Sequence, residues 1–406
     1  MKINLMYDIS VFGVAMSHMT SRTGIYRVVM ELLNELQKSE EINLLLANTA
    51  EPVYLKKTKE FLIENGYEQR LNNKLVYNLP NKIFGRGKRI LRNLYSLLGI
   101  DLELIEYDTE AFRKADIFHT PFYKIPNDLK NFSKLKRCIT IHDIIPVLYP
   151  NLHNKLLETK EIISSIGNDY AICVSENTKN DLLNYDGNID PNNVFVCHLA
   201  ADSDKFYPSA DSEKFKEVQN RYGLPENYFL SLCTLEPRKN LERLIRCFNK
   251  FVLEHHINDL SLVLVGTKGW QFEKIFEEIN CSKNLKDRII TTGWVFDEDL
   301  ASIYSHAHSF YYISKYEGFG LPPLEAMQCG VATVTSNTSS LPEVVGNGAK
   351  MVDPENNDQI CDAMYKLYTD SALKNELETK GLKQSEKFSW CKTTERHLDI
   401  YQSIIR

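Results

Sequence analysis

Short continuous apolar runs, separated by amphipathic stretches, recur along the whole chain. Residues 3–7, 42–47, 117–119, 138–142, 171–174 and 194–197 each read as a strand. The rhythm resumes at 228–233, 260–265, 288–292, 309–313 and 331–335. Apolar positions at helical spacing predict helices over 25–36, 240–255 and 360–368. Strands apolar on both faces, alternating with helices, belong in parallel sheets covered on both sides. The expected fold class is α/β.

The rhythm breaks near 201–226, a polar stretch with Pro208 and no strong period. A chain of 406 residues is natural for two cores. The pattern therefore predicts two Rossmann-like domains, 1–207 and 208–388. Ligands of such sheets sit outside the carboxyl ends of the strands, so two of them face to face would enclose a cleft.

Apolar residues make up 43% of the chain and charged residues 25%, a soluble globular composition. The formal net charge of −6 argues against nucleic acid as the main partner. Nine cysteines are scattered with no Cys-x-x-Cys pair, which reads as reduced, mostly buried thiols in the cytosol. The start, MKINLMYDIS, lacks the apolar core of a signal peptide, and no stretch approaches the ~20 apolar residues of a membrane span. The histidines show no metal-ligand spacing, and no metal is expected.

Residues 317–325 read Glu-Gly-Phe-Gly-Leu-Pro-Pro-Leu-Glu and follow the strand predicted at 309–313. Gly318 and Gly320 permit a tight turn and close approach to a ligand. Pro322 and Pro323 suit the first turn of a helix, whose N-terminus is an anion site. Two carboxylates, Glu317 and Glu325, are thereby set beside free N–H groups, a combination suited to sugar hydroxyls and phosphates. The ordinary reading is that Glu325 complements the helix dipole and Glu317 is a loop charge.

Glu236-Pro237-Arg238-Lys239-Asn240 follows the strand at 228–233 and precedes a helix. Two adjacent cations there can neutralise a diphosphate, or form an ordinary charged helix start. Ser21-Arg22-Thr23-Gly24-Ile25-Tyr26-Arg27 precedes the first long helix, and Gly24 could let that helix approach a ligand. In Thr140-Ile141-His142-Asp143 two polar residues end an apolar strand, where sites form in open α/β sheets. A histidine satisfied by backbone bonds is the alternative. Asp202-Ser203-Asp204 and Asp297-Glu298-Asp299 could hold a divalent metal, but they read as structural, with Asp297 as a helix N-cap.

Taken together, these motifs resemble the family 4 glycosyltransferases of the GT-B fold. The resemblance covers nearly the whole chain and is strongest from Gly293-Trp294-Val295 through EGFGLPPLEAMQCG to Ser340-Leu341-Pro342-Glu343-Val344-Val345-Gly346, with TLEPRKNLERL, IHDIIPVLYP and CVSENTKNDL adding matches. It implies that Arg238 and Lys239 hold the donor diphosphate, Glu325 the ribose hydroxyls and Glu317 the donor sugar. Val295, Gly318, Phe319, Gly320 and Leu321 would line the nucleotide-sugar site, with Gly24 by the diphosphate or acceptor. His142 would lie beside the transferring sugar, with Asp143 and Arg27 on the acceptor side. The segment 389–406 resembles a C-terminal helix that crosses back onto the first domain. The first loop departs from the family's glycine run, and Cys233 and Leu235 mark a stretch where some members carry a further arginine.

The resemblance implies a retaining, metal-independent hexosyltransferase. It would use a GDP-, dTDP- or UDP-linked sugar, with mannose or rhamnose first in line. The acceptor would be a saccharide or lipid-linked saccharide of a surface polysaccharide. A sugar phosphorylase or sugar-phosphate synthase on the same scaffold, or a non-catalytic glycan-binding subunit, are the alternatives. A Rossmann oxidoreductase is disfavoured, because no Gly-x-Gly-x-x-Gly follows the first strand. A cytoplasmic location is expected. Residues 82–100, KIFGRGKRILRNLYSLLGI, form a basic amphipathic stretch that suits either anionic lipid or ordinary core packing.

Overall fold

The computed structural model describes residues 2–17, 24–50, 52–67, 71–77, 103–152 and 154–406. The basic stretch 82–100 lies outside them, as do Ser21, Arg22 and Thr23.

Fourteen strands are present among the described residues: β1 (Ile3–Asp8), β2 (Ile42–Ala47), β3 (Asn73–Tyr77), β4 (Glu103–Tyr107), β5 (Ile117–Thr120), β6 (Lys136–Ile141), β7 (Tyr170–Cys173), β8 (Val194–Val196), β9 (Tyr228–Leu232), β10 (Ser261–Val265), β11 (Ile289–Gly293), β12 (Ser309–Tyr312), β13 (Thr333–Ser336) and β14 (Lys350–Val352). Twelve of them build two parallel six-stranded sheets, ordered β2-β1-β5-β6-β7-β8 and β11-β10-β9-β12-β13-β14. Both sheets are apolar through the middle, with Leu5, Phe118, Ile139 and Ile172 in the first and Phe229, Leu262 and Val334 in the second nearly sealed from solvent. Such continuous burial is what parallel pairing with helices on both faces requires.

Each sheet reverses direction once. In the first, the chain adds β2 on one side of β1 and later β5 on the other; in the second, β10 and β11 lie to one side of β9 and β12 to the other. A crevice opens at the carboxyl ends of strands at such a reversal. The loops after β9 and β12 therefore border one crevice, and those after β1 and β5 the other.

Several elements go beyond the sequence expectation. β3 and β4 form a separate antiparallel pair. The polar stretch after 201 contains a regular helix, Ser212–Tyr222, capped by Asp211 and ended by Gly223 in the left-handed region. Its period is faint because Val218 is the one residue it fully buries. It is fixed by charge instead: Lys214, Arg221 and the Tyr222 hydroxyl all meet the buried carboxylate of Asp299.

The C-terminal helix Trp390–Ile405 buries His397, Ile400, Tyr401 and Ile404. Ile400, Tyr401 and Ile404 share an apolar cluster with Ile3, Leu5, Tyr7 and Leu36 of the first sheet and its helix. Tyr401 Oη lies 2.7 Å from His119 Nδ1. The chain thus passes from the first sheet to the second after β8 and returns before Trp390.

Candidate functional site

After β9 the chain makes a short turn, Pro237–Lys239, which ends at Asn240 with φ 59° before the helix Leu241–Glu254. Asparagine tolerates that left-handed conformation. Its amide donates to Ile313 O (3.2 Å) and Pro354 O (2.8 Å), tying the turn to the segments that follow β12 and β14. Arg238 and Lys239 are consequently aimed at the β12 loop.

That loop carries Glu317, which is buried. Arg238 Nη1 donates to Glu317 Oε2 at 2.6 Å and Lys239 Nζ donates to Oε1 at 2.7 Å. The Ser314 and Tyr312 hydroxyls donate to the same Oε1, and Ser339 Oγ receives the Glu317 N–H. Arg238 Nη2 is held by Glu236 at 2.7 Å, and Lys239 also donates to Tyr312 Oη at 2.7 Å. Burial by itself would raise the Glu317 pKa, but Arg238 and Lys239 hold it down to about 2. At neutral pH the carboxylate is ionised and fully hydrogen-bonded, the one condition under which a buried charge is tolerated.

The helix Leu321–Gln328 starts at Gly320, whose φ is 117°. A side chain there would be strained, and its Cβ would stand 2.7 Å from Leu341 Cδ2. Pro322 and Pro323 bring no N–H to the first turn and the Leu324 N–H bonds Gly320 O, so this start presents at most the N–H groups of Gly320 and Leu321. Glu325 lies in the helix and is buried with partners of its own. Tyr304 Oη donates to Oε2 at 3.0 Å, and Arg27 Nη1 stands 3.6 Å from Oε1. Burial raises its pKa, and Arg27 acts against that rise.

The first sheet closes on this loop. A Cβ on Gly318 would fall 1.9 Å from His142 O and 2.8 Å from Asp143 Cβ, so only glycine permits the approach. Ser175 Oγ and Thr178 Oγ1 donate to Gly318 O at 2.7 and 3.1 Å. Tyr316 Oη donates to the Asp181 carboxylate, and Glu343 accepts the Glu176 N–H at 2.9 Å. His142 Nε2 lies 2.8 Å from Pro121 O, and burial lowers its pKa. Asp143 Oδ1 accepts from Ile145 N and so begins the next short helix.

Of the residues singled out in the sequence, Arg238, Lys239 and Glu317 come together as one ion-paired group. His142 and Asp143 lie against Gly318. Phe319 is buried between His198 and Phe388. Gly24 begins its helix opposite Leu321, whose Cδ1 would be 3.7 Å from a Cβ at Gly24, so contact does not demand glycine there. Val295 is buried in the second core. Arg27, expected on the acceptor side, reaches across to pair with Asp297 and Glu325. Asp297 is not the helix cap; Phe296 occupies that position, and Asp297 is the first helical residue.

Asp8 escaped the sequence reading. It ends β1, is fully buried, and accepts from Ser10, Thr49 and Thr120. It thereby ties the carboxyl ends of β1 and β5 to the loop after β2, at the first sheet's reversal. An acid directly after an apolar run was the available signal.

Residues 212–384 match the family described as Glycosyl transferases group 1. The serotype-specific mannosyltransferase WbdA of Escherichia coli is 32% identical over 293 residues, 70% of this chain but 35% of that protein. This chain thus spans about a third of the length of that relative. The O-antigen chain mannosyltransferase B of Escherichia coli is 31% identical over 294 residues, 71% of this chain and 74% of the relative. The solved structure of Anabaena HepE in complex with UDP and glucose superposes with a TM-score of 0.68, covering 99% of this chain and 100% of that one at 14% identity. The two facing parallel sheets with a returning C-terminal helix are the GT-B fold. By fold and by its mannosyltransferase relatives, the chain belongs to the group 1 family of glycosyl transferases.

Proposed function

We propose that the protein is a retaining glycosyltransferase that moves a sugar from a nucleotide-diphosphate donor to a saccharide or lipid-linked saccharide acceptor during surface polysaccharide synthesis. One observation carries this reading. Arg238, Lys239 and Glu317, from loops on either side of the second sheet's reversal, meet in a single group against the loop that ends β6. The O-antigen and serotype mannosyltransferases among the relatives make mannose the first donor sugar to test, with rhamnose next. GDP-, dTDP- and UDP-linked forms are all to be compared.

The chemical difficulty is to expel a nucleotide diphosphate while positive charge develops on the sugar. Arg238, Lys239 and the N-terminus of Leu321–Gln328 would take up the charge of the leaving phosphate. Glu325 would bind the ribose and Glu317 the sugar hydroxyls, with Gly24, Leu321 and the backbone of Val295, Phe319 and Gly320 lining the donor. His142 would stand by the transferring sugar and Asp143 would serve the acceptor side, while Arg27, which reaches Glu325, would act on the donor side. Closure of the sheets through Gly318 would exclude water and align the acceptor. The leaving phosphate itself would assist same-face attack, so transfer is expected without added metal.

A donor screen tests the reading. The chain is incubated with each nucleotide sugar, and release of nucleoside diphosphate is followed in the presence and absence of chelator. Turnover of one donor that persists in chelator is expected. Turnover of none, or complete loss in chelator with rescue by magnesium, would contradict the respective part. Phosphate-dependent cleavage of a glycan would replace it with a phosphorylase.

A further inference from the structure

A groove of about 400 Å³ lies between the edge strand β8 and the start of the C-terminal helix. It is separate from the Arg238–Lys239–Glu317 group. Lys179, Lys387, Lys392 and Arg396 line it, together with His198 and the single acid Glu176.

The four cations have an unusual set of partners. Lys179 Nζ donates to Val194 O (2.7 Å) and Arg396 Nε to Val196 O (3.1 Å), both on the open edge of β8. Lys392 Nζ donates to Glu386 O (2.8 Å) and Lys387 Nζ to Gln384 Oε1 (2.7 Å). Among the described residues none of the four pairs with a carboxylate. Neutral oxygens orient these groups without cancelling their charge. Each ammonium keeps further N–H donors, and the guanidinium keeps most of its fork. Four like charges around one groove raise the local potential and favour an anion with several acceptor oxygens.

We propose that this groove is a binding site for a phosphate-bearing ligand, distinct from the donor crevice. A phosphate group fills only part of such a volume, so the groove would also hold what the phosphate is attached to. Its walls come from where the chain leaves the first sheet, β8 and on to Leu199, and from where it returns, Lys387 to Thr393. A bound anion would therefore touch both segments at once. The same chemistry could come from a soluble phosphate or from the headgroups of an anionic membrane.

Residue-resolved amine labelling tests the site. The full chain is acetylated with acetic anhydride, with and without inorganic pyrophosphate, and separately with phosphatidylglycerol vesicles. Lys179 and Lys387 are read by mass spectrometry. The double variant K392E/R396E changes two exposed positions, and its melting curve checks its folding. Labelling of both reporters is expected to fall at least fivefold with one of the two probes, and the protection to vanish in K392E/R396E. Protection by pyrophosphate identifies a soluble phosphate site, and protection by vesicles alone a lipid-headgroup site. Unchanged labelling with both probes, or protection that survives in the double variant, overturns the proposal. Equal protection of lysines across the whole surface does so too.

Discussion

Lys239 Nζ and Glu317 Oε1 stand 2.7 Å apart, with both side chains nearly out of solvent. Arg238 completes the group on the other carboxylate oxygen, and Glu236 balances Arg238. The cations proposed to hold a diphosphate are thus already neutralised one for one. A donor entering the crevice meets a preorganised, charge-balanced cluster rather than a bare positive patch. If the donor binds there as proposed, its phosphates would compete with Glu317 for Lys239, and the carboxylate would then be available to the sugar hydroxyls.

Lys239→Ala is expected to act on turnover. If Lys239 stabilises the departing diphosphate, its removal lowers kcat by ~2–4 kcal/mol of transition-state stabilisation, roughly 30- to 1,000-fold, with a smaller change in donor KM. Steady-state kinetics with the donor from the screen measures both constants. A kcat near wild type would remove Lys239 from the leaving-group role.

The stability of the protein should carry the signature of Glu317. An unfolded glutamate titrates near 4.5, while the folded residue, with Arg238 and Lys239 opposing burial, stays charged down to about 2. The folded pKa is depressed, so the stabilisation is fully present above 4.5 and disappears as pH falls from 4.5 toward 2. Its size is ~3 kcal/mol. Glu317→Gln loses this pH dependence and leaves Lys239 without a carboxylate and Arg238 with Glu236 alone, a loss of about 3–5 kcal/mol at neutral pH. Urea unfolding from pH 2 to 7 checks both. A variant that unfolds with the same acid slope as wild type would show that the pair does not govern acid stability.

Gly318→Ala tests the closure. A methyl group at 1.9 Å from His142 O cannot be accommodated unless the two backbones separate, which would also lengthen the Ser175 and Thr178 bonds to Gly318 O. Overpacking of this kind costs about 1–3 kcal/mol. The radius of gyration from small-angle scattering is expected to rise, and the melting temperature to fall. Gly24→Ala, with 3.7 Å of room beside Leu321, serves as the control and should leave the radius unchanged. Identical scattering from both variants would mean that Gly318 does not gate the approach.

Much of this architecture was legible because continuous apolar runs announce buried parallel strands. All eleven runs read from the sequence are strands of the two large sheets. β14 was missed because it is three residues long and exposes Met351. The β3–β4 pair was missed because its register joins segments distant along the chain. At the site, an apolar run followed by Glu-Pro-Arg-Lys-Asn or by Glu-Gly-Phe-Gly was visible. That β9 and β12 are neighbours, through Ser309 opposite Phe229, was not, since strand order is a non-local property. The reach of Arg27 to Glu325 has the same origin: the two meet only after both sheets are built and facing.

That last contact sets a testable pH dependence. Glu325 is buried and its pKa is raised by that burial, with Arg27 the charge that resists the rise. If an ionised Glu325 accepts the ribose hydroxyls, nucleotide affinity weakens as pH falls through the Glu325 pKa. Arg27→Met keeps the length of the side chain and removes its charge, so the pKa of Glu325 should climb further. The acid limb of nucleotide affinity then moves toward neutral pH. Calorimetric titration with the nucleoside diphosphate between pH 4.5 and 8 is expected to show affinities that converge at the alkaline end and separate on the acid side, with the variant weaker. Glu325→Ala should lower affinity at every pH and abolish the limb. An acid limb that stays in place in Arg27→Met would mean that Arg27 does not control the charge of Glu325, and unchanged affinity in Glu325→Ala would remove the ribose from that carboxylate.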